Sequence, residues 1–231
     1  VRCLAIAPDK LSFLIGSDWG LSRFGADGRV LWKIYPESFV WGVTLSADGQ
    51  VAIAALGDGT LRWYRTTDGK ELLSFFVNAA DRKWIAWTPS GYYAASAGGE
   101  DLVGWHFNGK GWNDPPDFFP APRFGAQFDR PDIVQLVLKL RDEASAIETA
   151  NNLVTKIPGG GEKAETGNGI RDILPAVVEF AEDVLEIETE RTDVQIRYRL
   201  RSPSGREITR VEVLIDGRPV HLTSPAKARE H

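Results

Sequence analysis

Trp41-Gly42-Val43-Thr44-Leu45-Ser46-Ala47-Asp48-Gly49 is the stretch on which the reading turns, because it has a counterpart on either side. Val1-Arg2-Cys3-Leu4-Ala5-Ile6-Ala7-Pro8-Asp9 precedes it, and Lys83-Trp84-Ile85-Ala86-Trp87-Thr88-Pro89-Ser90-Gly91 follows it. Each is an apolar run that leads into a turn. Asp9 and Asp48 lie 39 positions apart, and Asp48 and Ser90 lie 42 apart. Leu21, Leu61 and Leu102 repeat the interval at 40 and 41 and mark the next strand of each unit.

Between these markers stand Leu11-Ser12-Phe13-Leu14-Ile15, Val51-Ala52-Ile53-Ala54-Ala55-Leu56 and Tyr92-Tyr93-Ala94-Ala95-Ser96. Turn signals bound them: Asp48-Gly49, Gly57-Asp58-Gly59, Asp68-Gly69, Ser90-Gly91 and Gly98-Gly99. Apolar runs this short, set between such turns, read as strands buried on both faces. The small alanines suit crowded inner strands. A period of roughly 40–45 residues with several short strands per unit predicts β-propeller blades, about three of them over residues 1–108. A propeller closes with about 4–8 blades, so an incomplete ring is expected, belonging to something larger. Unpaired edges of open blades invite pairing, so the chain should not be at ease as a monomer. The absence of methionine and a strand pattern already begun at Val1 fit a fragment.

The remainder divides by composition. Residues 109–157 hold Trp112, Phe118, Phe119, Phe124 and Phe128 among Pro115, Pro116, Pro120 and Pro122, then a helical pattern. Prolines interrupt ladders, so the aromatic part reads as an irregular strap on the flank of the repeats. Pro131 suits the first turn of the helix, with Asp129 or Asp132 near its N-terminus. Its apolar stripe is Ile133, Val134, Leu136, Val137, Leu140, Ala144 and Ile147, with Arg141, Asp142, Glu143 and Glu148 off the stripe. Residues 158–174, with Pro158-Gly159-Gly160-Gly161 and Gly167-Asn168-Gly169, read as a flexible linker. Residues 175–222 alternate apolar and charged over Val184–Glu190 and Val194–Leu200, and Ile208–Ile215 reads as a further strand closed by Asp216-Gly217. This is the pattern of part of an antiparallel sandwich; residues 223–231 are a tail. The fold class is therefore mainly β: incomplete propeller, one amphipathic helix, β-sandwich portion.

Charge and residue inventory narrow the function. Of 231 residues, 43% are hydrophobic and 26% charged, with a net charge of −5. A nucleic-acid partner calls for a basic face, and the only dense basic stretch, Arg197-Tyr198-Arg199-Leu200-Arg201, reads as one solvated strand face. No apolar run reaches the ~18–20 residues of a membrane helix. The single cysteine, Cys3, permits no internal disulfide, and no metal-ligand spacing stands out. The expectation is thus no catalytic residue, no cofactor, no metal, no nucleic acid and no membrane, with the cytoplasm as the default address.

Asp58-Gly59-Thr60-Leu61-Arg62-Trp63-Tyr64, followed by Asp68-Gly69-Lys70, resembles the core of a WD repeat. The family's Trp slot holds Phe24, Tyr64 and Trp105 in the three units, and no Gly-His pair opens a blade. The hydrogen-bond tetrad of strong WD blades is therefore incomplete, and packing must hold these units. The wider run Trp87–Ser96, Gly104–Asn108, Asp117–Pro120, Phe128, Arg130–Val134 and Val137-Leu138 is similar to the end of a WD-type propeller in certain bacterial multi-domain proteins. Leu200–Gly205 and Val213–Arg218 resemble the immunoglobulin-like module that follows there. The resemblance implies a caspase-like protease domain elsewhere in such a protein. Cys3, His106 and His221 match no such catalytic signature, so this chain itself is expected to be non-catalytic. Asp27-Gly28-Arg29-Val30-Leu31-Trp32 also resembles the tryptophan-docking repeats of quinoprotein propellers, which makes a fragment of such an enzyme the alternative.

The leading reading is a scaffold or sensor part that recognises protein. The partner is expected to be the remaining blades, in the same protein or a companion chain. Candidate contact residues lie in loops at the ends of inner strands and between units: Asp18, Trp19, Tyr35, Trp41, Asp58, Asp81, Arg82, Glu100 and Asp101.

Overall fold

Equivalent turns recur along the chain and lay down equivalent strands. The computed structural model describes residues 1–108, 116–154, 164, 169–180, 197–215 and 218–220. In the first unit β1 (Cys3–Ile6), β2 (Ser12–Ser17), β3 (Gly20–Gly25) and β4 (Val30–Ile34) form an antiparallel meander. In the second, β5 (Val40–Leu45), β6 (Val51–Leu56), β7 (Leu61–Arg65) and β8 (Glu71–Val77) do the same. The turns after β1 and β5 are closed by Ala7 N–H on Ser12 O and by Ser46 N–H on Val51 O, 2.9 and 2.8 Å. The third hairpin matches them, Thr88 N–H reaching Tyr92 O at 2.9 Å. The left-handed residues of the three turns are Lys10, Gly49 and Gly91.

The Asp-Gly turns are copies too. Asp27 Oδ1 accepts from Arg29 N–H and Asp68 Oδ1 from Lys70 N–H, both at 3.1 Å, with Gly28 and Gly69 at φ 81 and 74. Each turn forces a register shift into the strand before it, between Arg23 and Phe24 and between Trp63 and Tyr64. A repeat that reproduces its own bulges is structural, not merely compositional.

The two sheets stack through Leu14, Leu21, Val40, Ala52, Ala54, Leu56 and Tyr64, with Trp32 and Ile34 at the margin. Ala52, Ala54 and Leu56 alternate along β6, so one face of that strand meets the first sheet. Polar contacts lock the stack: Arg23 Nη1 and Trp32 Nε1 donate to Thr66 O at 2.6 and 2.7 Å, and Thr66 Oγ1 donates to Gly49 O at 2.8 Å. Trp32 also lies where a side chain at Gly69 would stand, 2.9 Å from a Cβ built there. Trp32 thus packs the first sheet against the second.

The third unit departs from the expected separate blade. Its β9 (Trp84–Trp87) pairs with β8, and β10 (Tyr93–Ala95) pairs with β9, so the second sheet has six strands. The cause is the connection. Asn78 N–H donates to Lys83 O, Arg82 N–H donates to Asn78 O, and Arg82 takes φ 60, which folds the chain straight back. Leu102, expected in the next strand, instead ends a 3-10 turn, Glu100–Leu102, closed on Gly99 O. β11 (Gly104–Phe107) then pairs, among the described residues, only with β12 (Asp117–Pro120).

That second pairing revises the strap: Asp117–Pro120 is a strand, and irregularity begins only at Pro120, which leads into a 3-10 turn over Ala121–Phe124 and the short α1 (Gly125–Phe128). Its rings converge. Trp105 meets Phe124 edge-on at 5.3 Å and Phe128 at 5.1 Å, and Phe128 stacks on Tyr92 at 5.3 Å. Trp112 lies outside the described residues.

The single helix expected from Pro131 is two. α2 (Pro131–Leu140) stops at Arg141, which is left-handed at φ 55, and Asp142 caps α3 (Glu143–Val154) by accepting Ser145 N–H at 2.9 Å. Glu143, off the apolar stripe in sequence, is buried because its carboxylate accepts Ser90 N–H at 2.9 Å. Val134 and Leu138 of α2 cover Leu73, Ala86, Trp63, Phe75 and Ala94. By strand alternation this is the face of the second sheet opposite the first.

Residues 1–166 form one compact unit and 167–231 another. In the second, Gly169–Asp172 is a helical turn (α4) within the stretch read as linker. β13 (Val177–Phe180) pairs with β14 (Tyr198–Arg201), and β15 (Val213–Ile215) with β16 (Arg218–Val220). Of the strand expected at Ile208–Ile215, only Val213–Ile215 is a strand. Val184–Glu190, Asp216-Gly217 and His221 lie outside the described residues.

Candidate functional site

The end of the stack formed by the β2–β3 turn and the β4–β5 connection gathers exposed aromatic rings. In the turn, Ser17 Oγ accepts Trp19 N–H and donates to Gly20 O. A Cβ at Gly20 would come within 2.4 Å of Ile34 O, so only glycine lets the turn close on β4. Trp19 is left 80% exposed, and Tyr35, at the start of the connection, 71%. Trp41 is turned out by a bulge: Val40 pairs with Leu56 and Gly42 with Ala55, so the register passes over Trp41. It is 56% exposed.

Trp41 is held, not loose. Phe39 fills the space beside Gly57, where a Cβ would lie 2.2 Å from the ring, and its carbonyl accepts Gly57 N–H. Trp41 meets Phe39 edge-on at 5.1 Å. The Arg2 guanidinium lies 4.3 Å from the Trp41 ring centroid and 4.9 Å from that of Phe39, and pairs with Asp18. Such cation–π contacts contribute about 0.5–1 kcal/mol at exposed sites, enough to fix a rotamer. Aromatic rings and arginine presented in a fixed arrangement are the composition of binding hot spots.

The structure divides the sequence candidates. Asp18, Trp19, Tyr35 and Trp41 belong to this end, joined by Arg2 and Phe39. Asp58 works as a turn cap: Oδ1 accepts Thr60 N–H and Oγ1–H at 2.9 and 2.7 Å, and Oδ2 faces Arg62 at 3.2 Å. Burial pushes its carboxyl up, but Thr60 and Arg62 outweigh that and hold it below the usual range. Asp81 likewise caps the β8–β9 hairpin through Lys83 N–H at 3.1 Å, and Arg82 supplies its left-handed residue. Glu100 and Asp101 sit in the 3-10 turn. Burial, with the Glu100 charge, raises the Asp129 carboxyl. Among the described residues, no hydrogen bond, ion pair or ring contact links these last four candidates to Trp19 or Trp41.

Arg2 and Phe39 were not singled out from sequence. The Phe39-Val40-Trp41 spacing beside Gly57-Asp58-Gly59 was the available signal. Among the described residues no group of His, Cys, Asp and Glu could hold a metal ion, and no helix is long and apolar enough to cross a membrane.

No family model matches the sequence, and no curated protein matches it. Three β-propeller proteins of solved structure have similar parts. BamB from Moraxella catarrhalis matches over 41% of this chain and 33% of its own, with 16% identity and a TM-score of 0.30. The WD40 repeats of RRP9 match over 38% and 35%, with 17% identity and a TM-score of 0.33. U3-55K matches over 38% and 36%, with 16% identity and a TM-score of 0.33. The chain spans about a third of the length of each.

Proposed function

We propose that this chain is a non-catalytic protein-interaction part of a larger propeller-type repeat protein, and that its contact surface is the end carrying Trp19, Tyr35, Trp41 and Arg2. The observation that carries this reading is the exposure of three large rings at one end of the stack, with Trp41 turned out by the β5 bulge and braced by Arg2 and Phe39. Scattered exposed apolar residues need no explanation, but a grouped and braced set does. The remaining blades are the second partner in this proposal. Leu4, Ile6 and Val30 lie exposed on the face of the first sheet that carries the stacked Phe13–Phe24 pair, the side away from the second sheet. A further sheet of the same kind would cover them. Residues 175–222 are read as part of an immunoglobulin-like module and as a spacer, and any protease domain stands outside this chain.

The test is quantitative affinity capture from source cells with the wild-type chain and a Trp19→Ala/Trp41→Ala chain, followed by binding with the purified hit. The reading expects a specific partner whose affinity drops at least about 100-fold in the double variant, two hot-spot truncations of about 2 kcal/mol each being sufficient. Unchanged affinity would remove this end as the contact surface.

A further inference from the structure

A second feature lies between the two sheets and shares only Tyr35 with the aromatic end; it does not rest on the proposal for that end. An open cleft of about 230 Å³ has one wall from the connection, Tyr35, Pro36 and Glu37, and the other from the second sheet, Arg62, Tyr64 and Glu71. Sites for whole small molecules run about 300–1,000 Å³, so the volume suits a single side chain.

Its chemistry is selective. Arg62 is already neutralised, donating to Asp58 at 3.2 Å and to Glu71 at 3.3 Å. Glu71 also accepts Ser74 Oγ–H at 2.7 Å. Glu37, facing them across the cleft, has no hydrogen bond or ion pair among the described residues. The local charge is therefore negative. Tyr64 is 2% exposed, and its hydroxyl, beside Arg62, makes no hydrogen bond of acceptable geometry among the described residues. Burial, with the Glu71 charge, raises this phenol well above its usual range, so the group is a neutral hydroxyl with free acceptor capacity. A buried hydroxyl left without a partner costs free energy that a bound group would recover. The ring of Tyr35 accepts cations, since Lys33 Nζ already lies 4.8 Å from its centroid.

We propose that this cleft binds an arginine side chain of a partner polypeptide: the guanidinium forks onto Glu37, packs against Tyr35 and Pro36 and, with a small displacement of the cleft wall, donates to the Tyr64 hydroxyl, which is otherwise closed to water. Arginine fits better than lysine because a planar fork can serve the carboxylate and the hydroxyl at once while stacking on a ring.

The experiment is an NMR titration of the ¹⁵N-labelled full chain with Nα-acetyl-arginine methylamide. Nα-acetyl-glutamate methylamide and spermidine are parallel probes. The expected result is saturable shifts confined to Tyr35–Glu37, Arg62 and Glu71 with the arginine probe, and none with the glutamate probe. Glu37→Gln, at the open wall, should weaken binding about tenfold, the worth of one charge-assisted hydrogen bond. Tyr64→Phe should weaken it severalfold with the rest of the spectrum unchanged. Absence of saturable shifts, equal binding by the glutamate probe, or an unchanged affinity in Glu37→Gln would overturn the proposal. Spermidine binding as tightly as the arginine probe would overturn the guanidinium assignment, since a polyamine carries charge without the fork. The Trp19→Ala/Trp41→Ala chain should bind the arginine probe normally, so failure of one proposal is distinguishable from failure of the other.

Discussion

The second and third repeats begin alike and end differently. Both open with an antiparallel hairpin closed by the same carbonyl–amide pair, Ser46 to Val51 and Thr88 to Tyr92. The second goes on to four strands of its own. The third spends its first two strands on extending its neighbour and its last two on a separate ribbon. What differs is the chain that leads in. Tyr35–Phe39 contains Pro36, which cannot donate to a ladder, and carries the chain over to a new sheet. Asn78–Lys83 closes on itself through Asn78, Asp81 and the left-handed Arg82, and returns the chain along β8. α2 then covers the face of the second sheet on which another sheet would stack. The period of a repeat thus specifies its hairpins, while the connection decides whether a unit stands alone.

The sharpest way to break the first half of this comparison is to unstack the two sheets that do follow the pattern. Leu14→Ala, fully buried between them, should cost about 2–5 kcal/mol in denaturant-induced unfolding. A loss under about 1 kcal/mol would mean the sheets do not share this core. The second half turns on Arg82. Arg82→Pro, which cannot take a positive φ and removes the N–H given to Asn78, should cost about 3 kcal/mol and deprotect β9 to hydrogen exchange. Arg82→Gly should instead stabilise by up to about 1 kcal/mol by relieving the left-handed backbone. A smaller effect is expected at Trp32→Phe, which keeps the packing on Gly69 but loses the bond to Thr66 O, at about 1 kcal/mol.

The smallest effect is the pH dependence of the helix attachment. Arg65 reaches Arg141 O at 2.9 Å and Asp142 at 3.3 Å while pairing with Asp68. The side-chain bond from Arg65 holds the Asp68 carboxyl low, and the Ser145 N–H and hydroxyl do so for Asp142. Carboxyls with folded pKa values below the unfolded value of 3.8 add stability that is fully present above about pH 4–5 and is lost as pH falls through their folded values. Thermal stability should fall below pH 4, and less steeply in Asp142→Asn, because that variant has no such carboxyl to protonate. An equal slope in both would place the acid sensitivity elsewhere.

Much of the fold was legible because it depends on local chemistry. Asp48-Gly49 and Asp68-Gly69 announced their turns, and the alanines of β6 announced crowded inner strands. What was not legible depends on a few backbone choices that leave little trace in composition. Arg82 and Arg141 adopt left-handed conformations that their side chains do not advertise, so the β8–β9 hairpin and the break between α2 and α3 were missed. Of the candidate contacts, the aromatics Trp19, Tyr35 and Trp41 lie exposed at one end of the stack. Asp58 and Asp81, equally polar and equally in loops, turned out to be caps of their own turns. Sequence separates a contact from a cap poorly, because an aspartate suits both. Arg2 and Tyr64 gain their meaning only from neighbours about 40 and 30 positions away in sequence, Trp41 and Glu37 among them.

The most direct test of the comparison is the cross-strand backbone NOE pattern of the third unit. The account predicts NOEs linking Phe75 with Ala86 and Phe76 with Ile85, the register of β8 against β9. NOEs from Trp84–Trp87 to β11 in place of β8 would contradict it, and would restore the third repeat as a blade of its own.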